Sequence, residues 1–466
     1  MNKKFYITTA IDYTNGVIHI GHSYQKILAD VLARYHRLIG DKTWFLTGTD
    51  EHGQKVQKSA EEKGVEPKKF VDQIAAEDKK EWDLLNISYD RFIRTTDADH
   101  IKFAQEVYLK SKAAGDIYLD KFDGIYCEGC EKYLEVGDLV GGKCVFHPTK
   151  TPKRVSEENY FFRLSKYQKF LEEYIESHPE FIWPESKKNE TLAFVKGGLK
   201  DFSVSRPNVS WGIPVPDDPK HTIYVWFDAL INYLTYGVEE NCWPADIHVL
   251  GKDNLRFHAI FWPAMLKSAG YELPKTILVH DFITLNSQKV SKSLGNVILP
   301  SELIKKFGVD GVRYYFLRFG PLTNDVDITL KKITEIYNAD LANGLGNVVS
   351  RVAKLSENSG FDFEETKIKD VYRPAQNEAL EQYRFDDVLK NIWVTDLSPI
   401  DKHIDHETPW TRKGGELKRV LQEEIDEVRR LANKLQPFLP ETSEKILAQF
   451  KGPGIKSRPP LFSRIK

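Results

Sequence analysis

An α/β protein with a parallel, doubly wound sheet, an inserted metal-binding segment and an all-helical C-terminal region is predicted from three observations. Strand-like and helix-like stretches alternate over residues 1–114 and again over 223–283, the pattern of a parallel sheet covered by helices. Three of the four cysteines fall in one short window, Cys127, Cys130 and Cys144, between those two stretches. Beyond Pro300 the apolar periodicity is helical to the C-terminus.

The first stretch opens with a strand, Phe5-Tyr6-Ile7-Thr8-Thr9-Ala10, which bends through Tyr13-Thr14-Asn15-Gly16 into His19-Ile20-Gly21-His22. A helix follows, because Ile27, Leu28, Val31, Leu32, Tyr35, Leu38 and Ile39 recur on one face and Gly40 supplies a stop. A strand running into a helix N-terminus presents unsatisfied N–H groups that favour anions. Two histidines around a glycine there fit a nucleotide phosphate, or else a solvated turn.

Thr43-Trp44-Phe45-Leu46-Thr47-Gly48-Thr49-Asp50-Glu51-His52-Gly53 reads as a second strand delivering polar groups to its carboxyl end. Ligands of open α/β sheets bind there, so Asp50 suits a substrate amine or a ribose, or else caps a helix. Helices are expected at Gln54–Lys63, Pro67–Leu85 and Ala98–Ala114, with a strand near Arg91–Arg94.

After Gly115 come short strands and two knuckles, Cys127-Glu128-Gly129-Cys130 and Cys144-Val145-Phe146-His147. Thiolates and an imidazole at this spacing suit tetrahedral zinc in a closed, structural site; the alternative is reduced cysteines in a hairpin. Strand and helix then alternate again, through Tyr224–Tyr233, Ile247–Leu250 into Gly251-Lys252-Asp253, a helix carrying Phe257, His258, Trp262 and Met265, and Ile277–Val279. Lys289-Val290-Ser291-Lys292-Ser293 is a cationic loop suited to gripping polyphosphate, or an ordinary basic turn. Helices are expected around Arg313–Leu317, from Asn338 through Arg351, at Glu378–Leu397 and at Leu417–Leu435.

Composition narrows the class. A chain of 466 residues with 41% hydrophobic and 29% charged residues is an ordinary globular protein of roughly two to four domains. A net charge of −2 gives no overall nucleic-acid signature, although local patches decide that. Four cysteines imply a reducing compartment. Asp12 interrupts the first apolar run too early for a secretory signal, and no stretch has membrane-spanning length, so a cytoplasmic protein without a membrane role is expected.

In their fixed order, His19-Ile20-Gly21-His22, the zinc knuckles and Lys289-Val290-Ser291-Lys292-Ser293 resemble the class I aminoacyl-tRNA synthetases. Thr47–Gly53, Tyr160–Tyr167, Tyr224–Tyr233 and Gly251-Lys252-Asp253 are similar to the methionine-specific members. The resemblance spans the chain and implies a Rossmann-like catalytic domain in two halves, residues 1–114 and 223–283. Between them lies a connective insertion with the zinc knuckle, 115–222. The lysine loop and a stem-contact region occupy 284–335, and a helical anticodon-binding domain occupies 336–466.

The implied activity is that of a methionine–tRNA ligase. ATP and L-methionine form methionyl-adenylate and pyrophosphate, and methionine passes to the 3′ end of initiator and elongator tRNA-Met. One structural Zn²⁺, and Mg²⁺ accompanying ATP, are the implied metals. His19, His22, Lys289 and Lys292 carry the catalytic roles, and Tyr13, Gly21, Gly251, Asp253, Ser291 and Lys292 bind ATP. Ile11, Tyr13, Asp50, Trp226, Ala229, Leu230, Tyr233, Phe257, His258 and Trp262 hold methionine. Cys127, Cys130, Cys144 and His147 bind the metal, while Asn347, Arg351 and Trp410 read the anticodon. The bland alternatives are core packing for Phe257 and a helix-start contact for Trp410.

Asp12 and Asn254 depart from the family pattern, placing an extra carboxylate beside the ATP turn and a polar residue near the methionine side chain. No barrel of the kind that makes some relatives dimeric follows the helical region, so a monomer is expected. A branched-chain synthetase would need a larger insertion before Tyr224, and a cysteine enzyme would place zinc at its substrate. A tRNA-binding paralogue without synthetase activity is the non-enzymatic alternative.

Overall fold

The computed structural model describes residues 3–127, 132–134, 139–145, 151–207, 209–285, 288–289, 297–366, 368 and 371–466. It separates into two compact units: 1–18, 41–82 and 89–280 form the first, and 19–40, 83–88 and 281–466 form the second.

The first unit is built on a 7-stranded parallel sheet. Strands Ile182–Trp183, Thr276–His280, Ile247–Gly251, Lys4–Thr9, Lys42–Asp50 and Asp12–Tyr13 follow one another across it, and Arg91–Arg94 also pairs with Lys42–Asp50. Parallel strands need crossovers, and helices such as Gln54–Glu62, Ala98–Ala113 and Trp262–Ala269 occupy the intervening chain. The central strands are buried along almost their whole length, as doubly covered parallel strands are. The expected α/β sheet is therefore present, and Arg91–Arg94 falls where it was expected.

Gly48 has a definite task. Its Lys42–Asp50 strand pairs with Arg91–Arg94, and a Cβ at Gly48 would sit 1.8 Å from the Ile93 carbonyl oxygen. Only glycine permits that approach.

A separate sheet, built from strands at 117–162 and 202–203, is antiparallel. Ile117–Cys127 and Lys153–Phe162 form a long ladder from Ile117↔Phe162 to Tyr126↔Lys153, flanked by Lys132–Leu134 and Phe202–Ser203.

In the second unit, Ile20–Leu38 and the span Pro300–Phe319, two helical pieces joined by a kink at Gly308 (φ 71°, ψ 166°), precede a helical series from Leu330 to Gln449. Its structural centre is an ion pair, Arg313 Nη2 to Asp30 Oδ2 at 2.6 Å, with both side chains fully buried. Asp30 also accepts from Ser88 N and Oγ and from Arg34 Nε, while Arg313 donates to the Phe438 and Pro437 carbonyls. Burial alone pushes the Asp30 pKa up, but Arg313, Arg34 and Ser88 outweigh it and hold the carboxyl below its ordinary value. Burial lowers Arg313 from a very high ordinary value, and Asp30 keeps it charged.

Two helical expectations change. The helix expected to open at Asn338 begins at Leu330, because Thr329 caps it by accepting the Lys332 N–H at 3.2 Å. It continues through a π-helical stretch, Tyr337–Gly346, into Asn347–Ser359. The helix expected over Glu378–Leu397 is broken: Pro374–Glu381 ends, Tyr383 adopts a left-handed φ of 61°, and Phe385–Ile392 begins anew. No glycine or proline marks that break.

Candidate active site

Asp50 and Gly251, two of the expected site residues, stand at the carboxyl ends of central strands of the first unit. Asp50 ends the Lys42–Asp50 strand and is 6% exposed, while its carbonyl accepts the Thr14 N–H and hydroxyl. The short Asp12–Tyr13 strand pairs with Thr49 and Asp50, so Asp12, the anomalous position of the sequence, is a buried strand residue. Gly251 ends another strand, where a Cβ would lie 2.9 Å from Asp253 Oδ1, which ties the glycine to the carboxylate two residues on.

An aromatic group forms around the Val225–Leu230 and Asn232–Glu239 helices and the π-turn Phe257–Phe261. Trp226 and Phe257, both partly exposed, stack with centroids 3.7 Å apart and an interplanar angle of 6°. Tyr233 and Trp262 are buried and meet edge to face at 6.1 Å. Ala229 and Leu230 are buried on the same short helix as Trp226, and Ile11 is partly buried against this core.

Two histidines wire this group. His258 Nδ1 lies 2.9 Å from the Asn254 carbonyl and therefore donates to it, which leaves Nε2 to accept the Tyr233 hydroxyl at 2.7 Å. Asn254 thus contributes its backbone carbonyl to the site. Trp262 Nε1 donates to His248 Nε2 at 3.2 Å, so His248 carries its hydrogen on Nδ1, 2.6 Å from Thr8 Oγ1. Burial pushes His258 down to about 4 and holds His248 well below its ordinary value, so both rings are neutral at physiological pH. Burial, with Asp12 and Asp50 nearby, raises the Tyr233 phenol, which stays a hydrogen-bond donor.

His248 and Glu51 were not singled out in the sequence. Glu51 is fully buried, its carboxylate held by Arg94 Nε at 2.6 Å and Nη2 at 2.9 Å, by Thr49 and by Thr96. It therefore anchors the segment after Asp50. Glu51 could have been found from its place directly after Asp50 at a strand end, whereas His248, the second residue of the Ile247–Gly251 strand, carried no such signal.

In the second unit, His19 caps the Ile20–Leu38 helix. Its Nδ1 accepts the Gly21 N–H at 3.1 Å, and His22 Nδ1 accepts the His19 N–H at 3.2 Å. Accepting at Nδ1 leaves Nε2 as the nitrogen that can donate from His19, whereas His22 Nδ1 also lies 3.3 Å from the His19 carbonyl oxygen, a contact that suits the other tautomer. A Cβ at Gly21 would come within 2.8 Å of the His19 ring, so the glycine belongs to the cap. Lys289 lies in the Gln288–Lys289 strand, its backbone paired with Thr284. Ser291 and Lys292 lie outside the described residues.

Of the metal candidates, Cys127 and Cys144 are buried in one small cluster with Leu134, although seventeen positions of chain separate them. Cys130 and His147 lie outside the described residues. In the helical series Asn347 is exposed and opens the Asn347–Ser359 helix, and Arg351 pairs with Asp401 at 2.5 Å and Asp405 at 2.6 Å. Trp410 is 60% exposed in the turn Pro409–Thr411, so it is not a core residue. Among the described residues no helix is long and apolar enough to cross a membrane.

The family model described as tRNA synthetases class I (M) matches residues 5–150 and 123–353. The methionine–tRNA ligase of Caldanaerobacter subterraneus subsp. tengcongensis is 44% identical over 475 residues, covering 96% of this chain and 74% of its own. That of Nostoc sp. is 42% identical, covering 96% and 90%. The structure of Mycobacterium tuberculosis methionyl-tRNA synthetase in complex with methionyl-adenylate superposes with a TM-score of 0.90 at 35% identity, covering 100% of both chains. The apo form of that enzyme gives 0.85 at 33% identity, covering 100% of this chain and 99% of its own.

Proposed function

The chain belongs to the methionine–tRNA ligases of the class I tRNA synthetase family, and from that premise we propose how its residues divide the reaction. It activates methionine with ATP, forming methionyl-adenylate and pyrophosphate, and transfers methionine to the 3′ end of tRNA-Met, initiator and elongator alike. The observation that best supports the residue assignment is the aromatic group around Trp226, Tyr233, Phe257 and Trp262, with buried Asp50 at a neighbouring strand end.

Asp50 takes the substrate ammonium. The rings, with Ile11, Tyr13, Ala229 and Leu230, surround the thioether, where each sulfur–aromatic contact adds about 0.3–1.5 kcal/mol. The Tyr233 hydroxyl is oriented by His258, whose neutral ring avoids placing a cation beside a sulfur.

In the first step the methionine carboxylate oxygen forms a bond to the α-phosphorus while the bond from that phosphorus to the bridging oxygen breaks. Pyrophosphate leaves with the electron pair. Nothing in this step needs a covalent enzyme nucleophile, so the protein's work is positioning and charge stabilisation. His19 and His22 donate their Nε2 hydrogens to phosphate oxygens, and Gly21 and Tyr13 also bind ATP. Gly251 and Asp253 hold adenosine and ribose, while Lys289, Ser291 and Lys292 neutralise the departing pyrophosphate. Mg²⁺ accompanies ATP. In the second step a terminal tRNA hydroxyl attacks the acyl carbonyl and AMP leaves.

Cys127, Cys130, Cys144 and His147 would hold a structural zinc ion. Two thiols brought together in a small buried cluster are the donor chemistry that zinc selects. Metal analysis of protein purified without chelator is expected to find one zinc per chain, and its absence would remove this assignment.

The helical series carries the anticodon contacts: Asn347 and Arg351, one helical turn apart, read base edges, and exposed Trp410 stacks. A stacked base is worth about 1–3 kcal/mol, so Trp410→Ala is expected to weaken charging of tRNA-Met about tenfold or more and leave adenylate formation intact. Equal loss of both activities would sink its anticodon role. A monomer in the cytoplasm completes the reading. The alternative, a tRNA-binding paralogue without synthetase activity, predicts tRNA binding with no methionyl-tRNA formed.

A further inference from the structure

Asp228 lies on the Val225–Leu230 helix, two residues after Trp226 and directly before Ala229, and its side chain is fully buried. Its two oxygens have different partners. Oδ2 lies 2.7 Å from His52 Nδ1, and Oδ1 lies 2.6 Å from His100 Nε2. His52 follows Asp50 by two residues, and His100 stands in the first turn of the Ala98–Ala113 helix; both are buried. A carboxylate only accepts, so each facing ring nitrogen carries a hydrogen. Beyond His100, Thr235 Oγ1 lies 3.3 Å from Nδ1 and 3.1 Å from the Ile231 carbonyl, which extends the chain of contacts into the Asn232–Glu239 helix that bears Tyr233.

A buried carboxylate is a costly way to fill space, since an apolar side chain of the same volume has no partners to satisfy. What it adds is direction: two short hydrogen bonds fix one helix against the end of one strand and the start of another helix. Asp228 and the two histidines are absent from the substrate contacts assigned above, yet each is within two residues of one or on an element packed against one.

We propose that Asp228, through His52 and His100, is a positioning residue for methionine. It sets the separation between Asp50, which takes the ammonium, and the Trp226–Leu230 wall, which takes the side chain. The inference rests on the assignment of those residues to methionine. A substrate gripped at both ends is sensitive to that separation, because small misplacements of a reacting group are expensive in rate. Burial alone raises the Asp228 pKa, and the two histidines outweigh it and hold the carboxyl below its ordinary value, which keeps the acceptor ionised.

The test is amino-acid-dependent ATP–pyrophosphate exchange with the full chain, measuring kcat and the separate KM values for methionine and ATP. Asp228→Asn sets an amide N–H against one of the two ring N–H groups, and His100→Phe removes one donor. Each is expected to raise the methionine KM about tenfold or more while the ATP KM stays within about twofold. His100→Gln, whose amide can donate from near the Nε2 position, is expected to return the methionine KM to within about threefold of wild type. An unchanged methionine KM in Asp228→Asn and His100→Phe would overturn the proposal. So would an ATP KM that rises in step, or a glutamine no better than phenylalanine, because a merely structural contact predicts those results. If Asp228→Asn is insoluble, the His100 pair carries the same comparison. A wild-type chain that exchanges well but with another amino acid refutes the methionine assignment itself, and the clamp's role with it.

Discussion

Replacing Lys292 with alanine is expected to lower methionine-dependent ATP–pyrophosphate exchange about a hundredfold or more, with most of the loss in kcat. Charge on the α-phosphorus and on the departing pyrophosphate grows only as the reaction proceeds. A cation that meets it there stabilises the transition state more than the ground state. Lys292 sits in the Lys289–Ser293 motif with a second cation three residues earlier, and that pairing supports its assignment. Methionine binding followed by tryptophan fluorescence should be unaffected, because Trp226 and Trp262 are proposed to line the amino-acid site, apart from the lysine loop. A Lys292→Ala enzyme with normal kcat and a raised methionine KM would mean that the lysine serves binding, and the pyrophosphate role would be wrong.

The second large effect is on stability. Arg313→Met leaves the Asp30 carboxylate buried beside Ser88 and Arg34 without its principal counter-charge. Removing one partner of such a buried pair costs about 3–5 kcal/mol. The exposed Lys68–Asp72 pair, four residues apart on a helix, contributes only a few tenths of a kcal/mol by comparison. Denaturant unfolding should therefore show a large drop in midpoint for Arg313→Met and almost none for Lys68→Ala. The double variant Asp30→Leu/Arg313→Met is expected to recover much of the loss, since apolar packing can replace a buried ion pair. The pH dependence has a definite sign. The folded-state pKa of Asp30 is depressed, so its contribution is fully present above the ordinary carboxylate value of 3.8 and is lost as pH falls through the lower folded value. A wild-type midpoint that stays flat through that acid range, or a single variant as stable as wild type, would contradict the central place given to this pair.

Much of the fold was legible because periodicity reports burial directly. The alternation of strand and helix marked the parallel sheet, and the strand expected near Arg91–Arg94 is present there. What escaped was set by tertiary contact. The break at Tyr383 has no glycine or proline to announce it, so local sequence favours an unbroken helix. The role of Gly48 depends on Ile93, forty-five positions away, and only the strand pairing reveals that its Cβ would strike a carbonyl. The candidate site divides the same way. Asp50, Trp226, Tyr233 and Trp262 stood in recognisable motifs at strand ends and helix starts. Glu51, His248 and Asp228 act through partners distant in sequence: Arg94, Trp262 and the pair His52 and His100. A buried charge in a motif reads as a substrate ligand until its partners are known. Asp12, worrying beside an ATP turn when read in sequence, is a buried residue of a short strand.

Amino-acid-dependent exchange of pyrophosphate into ATP, measured across the standard amino acids with purified full-length protein, tests the central claim most directly. Methionine is expected to support exchange with a kcat/KM exceeding that of leucine or cysteine by about a hundredfold or more, since a missing contact in a close-fitting apolar pocket is worth about 1–3 kcal/mol and several are lost together. Exchange supported better by leucine or cysteine than by methionine, or by no amino acid at all, would contradict it.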